Sequence, residues 1–413
     1  MEIFNGVCRF DTYMKKSNEC SDFPYTHRPL WLLGRKYSLI YQLDELRSDF
    51  RSKIWITYRK GFSAIGGKGP KSDHGWGCML RCGQMVVAQA LILKHLGRDW
   101  RWIPRRGEQR KTSEEELLYF RILGLFLDKK HSPYSIHQIT QMATSDGKPV
   151  GKWFGPNSIA QTLKQLSVYD RWNNLAVHVA LDNVVIINDI KQLCKAEQRN
   201  YQRSSSTNEN WKSLLLFIPL RLGLTKINPL YFNSLKVIFK FKQSLGIIGG
   251  RPNHALYFIG FVENQLLYLD PHTTQKTVDC EEFKSNTVFD DSSYHQPTVA
   301  RMDISKLDPS MALCFYFHTE YDFDYWCLLA NDVLISNQKQ PLFQISKEVT
   351  KNLAQTALLS ENMQSSNSFD YDLIPGAPNV LTVNHHSKEL FTTLEDRNVV
   401  ENDPDEEFEL LNC

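Results

Sequence analysis

The stretch Ser72-Asp73-His74-Gly75-Trp76-Gly77-Cys78-Met79-Leu80-Arg81-Cys82-Gly83-Gln84 decides how this chain is read. A glycine-rich loop ends at a cysteine, and the residues that follow are apolar on nearly all sides as far as His95 (Met85, Val86, Val87, Ala90, Leu91, Ile92, Leu93). That pattern predicts a buried central helix over Cys78 to His95, with the cysteine at its first turn. A helix start has unpaired N–H groups and the positive end of the helix dipole. Both favour thiolate over thiol, and only the thiolate is a good nucleophile. Gly75 and Gly77 remove side-chain bulk, so a substrate backbone can approach. The plain alternative is that Cys78 is an inert core cysteine.

A thiol nucleophile needs a base and a group to orient that base. The apolar run Leu266 to Leu269 leads into Asp270-Pro271-His272. On an extended segment residues i and i+2 share a side, so Asp270 and His272 are expected to project together, with Pro271 stiffening the link. Asp-x-His by itself is more often a turn than a dyad. Among the other histidines, His178 lies in an apolar strand pattern and His385 and His386 lie in a polar tail, while His74 sits in the loop before the helix. A zinc site of Cys78, Cys82, His74 and His272 is the metal alternative, but structural zinc usually takes paired ligands from two loops. No metal and no cofactor is expected.

Outward from these motifs, Ser113-Glu114-Glu115-Glu116 has the form of a capping box ahead of a helix over Leu117 to Leu127. Another helix runs from Ser158 to Leu166 after the breaker Gly155-Pro156. Strands are predicted over Leu175–Ala180, Val184–Ile187, Leu214–Leu220, Ala255–Val262, Leu266–Leu269 and Met311–His318, two of them as a hairpin about Glu263-Asn264-Gln265. This mixture argues for α/β or α+β. Residues 1–30 read as a mobile arm, with packing from Leu30 onward. Arg101 to Arg110 and the polar stretch 198–210 read as surface loops, and residues 341–413 as a disordered acidic tail.

A net charge of +2 excludes strong electrostatic attraction to nucleic acid or anionic membrane. No run approaches the roughly 18 apolar residues of a membrane span, and Met1 to Asp11 has no secretory pattern. Nine widely spaced cysteines do not make a disulfide framework, so free thiols in a reducing, cytoplasmic setting are expected.

Together these motifs resemble the autophagins, cysteine peptidases that process the ubiquitin-like modifiers of autophagy. The resemblance is carried by Ser72 to Gln84, by Tyr268-Leu269-Asp270-Pro271-His272-Thr273-Thr274-Gln275, and by Trp55-Ile56-Thr57-Tyr58-Arg59-Lys60. Ala64-Ile65-Gly66-Gly67, Tyr134-Ser135-Ile136-His137-Gln138 and Gly155-Pro156-Asn157 extend it, in sequence order, across about Trp31 to Leu334. It implies an α+β, papain-like cysteine peptidase fold with a small inserted α/β subdomain, over residues 31–340. The triad it implies is Cys78, His272 and Asp270. No glutamine stands between Tyr58 and Cys78; the resemblance gives the oxyanion role to Tyr58 instead.

It further implies a narrow groove covered by Trp153, with Gly249-Gly250-Arg251-Pro252-Asn253 as a lid whose Pro252 opposes Trp153. His254 departs from the pattern, since many relatives carry a smaller residue there. Glu407-Phe408-Glu409-Leu410-Leu411 is similar to the short motif, here Phe408 and Leu411, that binds the same modifiers by strand addition. The implied function is cleavage after the C-terminal glycine of modifier precursors and release of the modifier from phosphatidylethanolamine. The partners are then the free and lipid-conjugated modifiers, with membrane contact only through the substrate, no nucleic acid, and a monomeric enzyme. A catalytically weak modifier-binding scaffold and a peptidase for another ubiquitin-like modifier are the alternatives.

Overall fold

The helix predicted from Cys78 to His95 forms over that span in the computed structural model, which describes residues 22–104, 112–195, 211–278, 290–336 and 338–348. In chain order the elements are β1 (Leu30–Leu32), β2 (Arg35–Tyr37), α1 (Leu43–Arg51), β3 (Arg59–Lys60), α2 (Cys78–His95), α3 (Glu114–Gly124), α4 (Ile136–Ser145) and α5 (Pro156–Ser167). Then follow β4 (Leu175–Val179), β5 (Val184–Ile186), α6 (Ile187–Lys195), β6 (Ser213–Arg221), α7 (Phe232–Ile238), β7 (Ser244–Arg251), β8 (His254–Val262) and β9 (Gln265–Leu269). The chain continues through β10 (Gln275–Lys276), β11 (Ala300–Asp303), β12 (Ser310–Phe317), α8 (Glu320–Ala330) and β13 (Gln344–Ser346).

The main sheet runs β11-β9-β8-β7-β12-β6-β4, with β1 added to β8 and β2 to β1. Its pairings are antiparallel except β4 with β6, which makes the fold α+β. Strand alternation explains how both faces are covered. Ala312, Cys314 and Tyr316 of β12 join the core cluster that holds α2, with Met79, Met85, Val86 and Ala90. Phe315 and Phe317, alternating with them in sequence, meet Trp326 of α8 at ring distances of 4.8 and 5.3 Å. Each such fully buried side chain contributes roughly 1.5–3 kcal/mol. Residues 78–92 of α2 are all buried, so the expectation of a central helix holds, and so does the capping box of Ser113 with Glu116.

Two boundaries shift. Packing begins before Leu30: Phe23 is buried edge-on against Phe50 at 5.9 Å, and Asp22 pairs with Arg47. It also runs past residue 340, because Phe343 is buried and stacks on Trp326. Strand β7 escaped the sequence reading because its glycines look like a loop. At Gly246 (φ +79) an added Cβ would lie 2.1 Å from the Phe258 carbonyl oxygen, so the strand needs glycine to approach β8. The described residues all fall in one compact unit. The expectations for residues 1–21, 105–110, 198–210 and 349–413, including Phe408 and Leu411, fall outside the described residues.

Candidate active site

Cys78 is the first residue of α2 and is buried, 2% exposed. The loop before it is held from beneath. Asp73 accepts the Arg59 amide N–H at 2.7 Å and the Arg81 Nε at 2.7 Å, and Arg81 also donates to Asp128 at 2.8 Å. This network gives Gly77 a structural role as well. Gly75 supplies a left-handed turn (φ +85) with open space about it. A Cβ at Gly77 would lie 2.3 Å from the Asp73 carboxylate, so Gly77 makes room for the buried acid. Arg81 is fully buried between two carboxylates. Arg81→Ala leaves both anions without their cation and costs about 3–5 kcal/mol. Urea unfolding should show the loss as a lower midpoint at unchanged slope.

Strand β9 carries the partner residues to the same place, next to α2 through β8. Asp270 and His272 do meet, but by a turn rather than by strand alternation. Asp270 Oδ1 accepts both the backbone N–H of His272 (3.0 Å) and the ring Nδ1 (2.6 Å). The Asp270 main chain is pinned from both sides: its N–H donates to Gln296 Oε1 at 2.9 Å, and its carbonyl accepts Trp55 Nε1 at 2.6 Å. Tyr58 brackets the same turn, donating its N–H to the Pro271 carbonyl and accepting the Gln275 N–H. Its ring stands edge-on to His272, centroids 5.3 Å apart at 85°. With Nδ1 committed to Asp270, Nε2 is the ring nitrogen left for the Cys78 sulfur; it is buried and has no other partner.

The protonation states follow from this packing. Burial would raise the Cys78 thiol, but contact with His272, the Ala255 amide and the Tyr58 phenol outweighs it and holds the thiol below its ordinary value. Burial would lower His272, yet Asp270 and Cys78 push it up to about 9. Asp270, despite its burial, is held well below the usual carboxylate range by His254 and His272. Burial, then Cys78, raises the Tyr58 phenol, so it remains a proton donor. Cys82, one turn on, is pushed well above a normal thiol by burial and by Cys78.

The site thus favours a thiolate–imidazolium pair, present above the lowered thiol pKa and lost as pH rises through about 9. Turnover should therefore fall about tenfold per pH unit beyond that limit, because a neutral imidazole cannot protonate the leaving amine. Alkylation of Cys78, which needs only the thiolate, should stay fast there; stopped-flow profiles of both reactions against pH check this.

His178 is kept neutral by burial, lowered to about 4. His74 Nδ1 is engaged with Thr274 Oγ1 at 2.7 Å. Trp153 is 45% exposed ahead of α5, and Pro252 is exposed in a two-residue hairpin turn with Asn253 at φ +60. Gly249 and Gly250 are paired residues of β7, opposite Leu256 and Ala255, rather than loop residues. A Cβ at Gly250 would lie 2.0 Å from the His254 carbonyl oxygen.

Among the described residues, His254, Asp270 and His272 are the one group of three placed as metal ligands would be, their ligand atoms within 4.8 Å of one another; His74 and Cys82 do not join it. The two imidazoles lie face to face, 3.4 Å apart at 6°, so their in-plane lone pairs run side by side instead of converging on an ion. The sequence assigns no role in this site to His254, Gln296 or Trp55, although Trp55 stands in a motif that carries the resemblance and His254 departs from another.

The peptidase C54 catalytic domain matches residues 43–329. Cysteine protease ATG4A of Gallus gallus is 49% identical over 343 residues, covering 79% of this chain and 88% of that protein. Cysteine protease ATG4B of Gallus gallus is 45% identical over 377 residues, covering 86% and 94%. Cysteine protease ATG4A of Homo sapiens is 48% identical over 334 residues, covering 76% and 82%. A buried thiol at a helix start, an imidazole beside it and a carboxylate orienting that imidazole make chemical sense of these likenesses: the chain belongs to the peptidase C54 family and is a cysteine-type peptidase.

Proposed function

We propose that this enzyme cleaves the amide bond after the C-terminal glycine of ubiquitin-like autophagy modifiers, both in their precursors and in their phosphatidylethanolamine conjugates. The observation that carries the reading is the His272 Nδ1–Asp270 contact of 2.6 Å beside a buried Cys78 whose thiol is lowered. The Cys78 thiolate attacks the glycyl carbonyl carbon, and the carbonyl π electrons move onto oxygen. Tyr58 O–H and the N–H groups at the start of α2 donate to that oxyanion. His272 imidazolium passes its proton to the leaving nitrogen as the C–N bond breaks, leaving a thioester. The neutral imidazole then takes a proton from water, whose oxygen attacks the thioester and releases the glycine carboxylate and the thiolate.

Precursor and lipid conjugate differ only in the leaving amine, so one site serves both. The architecture is papain-like, with a catalytic domain that takes in Phe23 at one end and Phe343 at the other, and a tail beyond it carrying the Phe408/Leu411 motif. Trp153 and the Pro252 turn, with Gly249 and Gly250 behind it, flank a groove narrow enough to favour glycine. No helix among the described residues is long and apolar enough to cross a membrane. A cytoplasmic, monomeric enzyme that meets membranes through its lipidated substrate is consistent with this.

The test is a panel of modifier–reporter fusions and modifier–phosphatidylethanolamine liposomes. Cleavage after glycine by wild type, abolished by a glycine-to-bulky change at the cleavage site, is the expected result. Binding of modifiers without cleavage of any would favour the scaffold reading instead.

A further inference from the structure

His254 is a catalytic-site neighbour whose side chain the proposed mechanism leaves unused. It begins β8, directly across the hairpin from Arg251. Its ring lies flat on the ring of His272, centroids 3.4 Å apart and planes within 6°. Its Nε2 is buried, lacks a hydrogen-bond partner, and lies 3.9 Å from Asp270 Oδ2. The carboxylate therefore divides its two oxygens between two imidazoles: Oδ1 binds His272, and Oδ2 faces His254.

From these contacts we infer that His254 is a positioning residue for the catalytic base, a neutral aromatic plate that holds the His272 ring in plane and stabilises its protonated form. This rests on His272 acting as the acid–base residue proposed above. A π face laid against a cation favours the charged state. A ring on the Cβ–Cγ axis with one flat neighbour, one edge-on neighbour (Tyr58) and one hydrogen bond (Asp270) has little freedom to rotate. The plate must itself be neutral, because a second cation at this spacing is repelled. The groups that bear on it are Asp270 and His272 at the end of β9, Cys78 beyond the Ala255 amide, Tyr58 beside β3, and Arg251 across the hairpin.

The experiment uses the full chain with histidine rings labelled at 13Cε1. In wild type, nuclear Overhauser contacts between the His254 and His272 ring protons are expected, and their absence overturns the inference without any variant. In His254→Asn and His254→Ser the His272 titration midpoint should fall by about half a pH unit to one unit, and the basic limb of kcat/KM should fall with it. His254→Phe, which restores a π face without a titrating nitrogen, should recover most of that shift. A His272 midpoint within about 0.1 unit of wild type in His254→Asn, or no recovery in His254→Phe, contradicts it. Failure of the mechanism itself reads differently: His272→Ala would then keep wild-type turnover whatever His254 does.

Discussion

Cys78→Ala is expected to lower kcat for precursor cleavage by about 10⁵-fold or more, since loss of a covalent nucleophile removes the acylation path altogether. What remains is oxyanion stabilisation and binding around an ordinary water attack. The substitution removes one sulfur from a site that is 2% exposed and at the first turn of α2, where alanine is a good helix former. The fold should therefore persist, and modifier binding should stay within a few-fold of wild type. Single-turnover cleavage together with a binding titration separates the two quantities. Substantial cleavage by purified Cys78→Ala would move the nucleophile elsewhere, and among the described residues the other four cysteines, Cys82, Cys194, Cys314 and Cys327, are the places to look.

Asp270→Asn is expected to reduce kcat/KM by about 10³- to 10⁴-fold, the size seen when the orienting acid of a catalytic triad is replaced by its amide. The reason is geometric and electrostatic. Oδ1 of Asp270 accepts from both the backbone and the ring of His272. An amide can keep one of these contacts but supplies no charge to hold His272 at about 9. The imidazolium is then lost at a lower pH, and the basic limb of the rate profile should retreat with it. Folding should be little changed, because the main chain at this position is held by Gln296 and Trp55, not by the carboxylate. A pH–rate profile beside a thermal melt distinguishes a kinetic loss from an unfolded protein. A loss of less than about tenfold would mean that Asp270 does not orient the base.

Much of this was legible in the sequence because the relevant signals are local. An apolar run broken by no proline predicts α2, and Ser113 with Glu116 predicts the cap of α3. Cys78 at a glycine-led helix start predicts an activated thiol by helix physics alone. The pairing of Asp270 with His272 was legible for the wrong reason: strand alternation suggested it, whereas a turn in which one carboxylate oxygen takes two N–H groups brings it about. The structural need for Gly77 was not legible, since the buried Asp73 that requires it is committed to Arg59 and Arg81, and neither contact can be seen in a window of a few residues. Strand β7 was missed because the glycines that let it close on β8 carry the signature of a loop. His254 was noticed as a departure from a pattern. What it does depends on a stack across two strands, 18 residues apart in sequence, which no local pattern encodes.

The central claim is that Cys78 is the nucleophile toward a glycine-ended modifier tail. It is tested most directly by incubating the full chain with a modifier whose C-terminal glycine carries a thiol-reactive electrophile, then mapping the adduct by peptide mass spectrometry. One adduct is expected, on Cys78, absent from Cys78→Ala and slowed in His272→Ala. An adduct on any other cysteine, or equal labelling of Cys78→Ala, would contradict it.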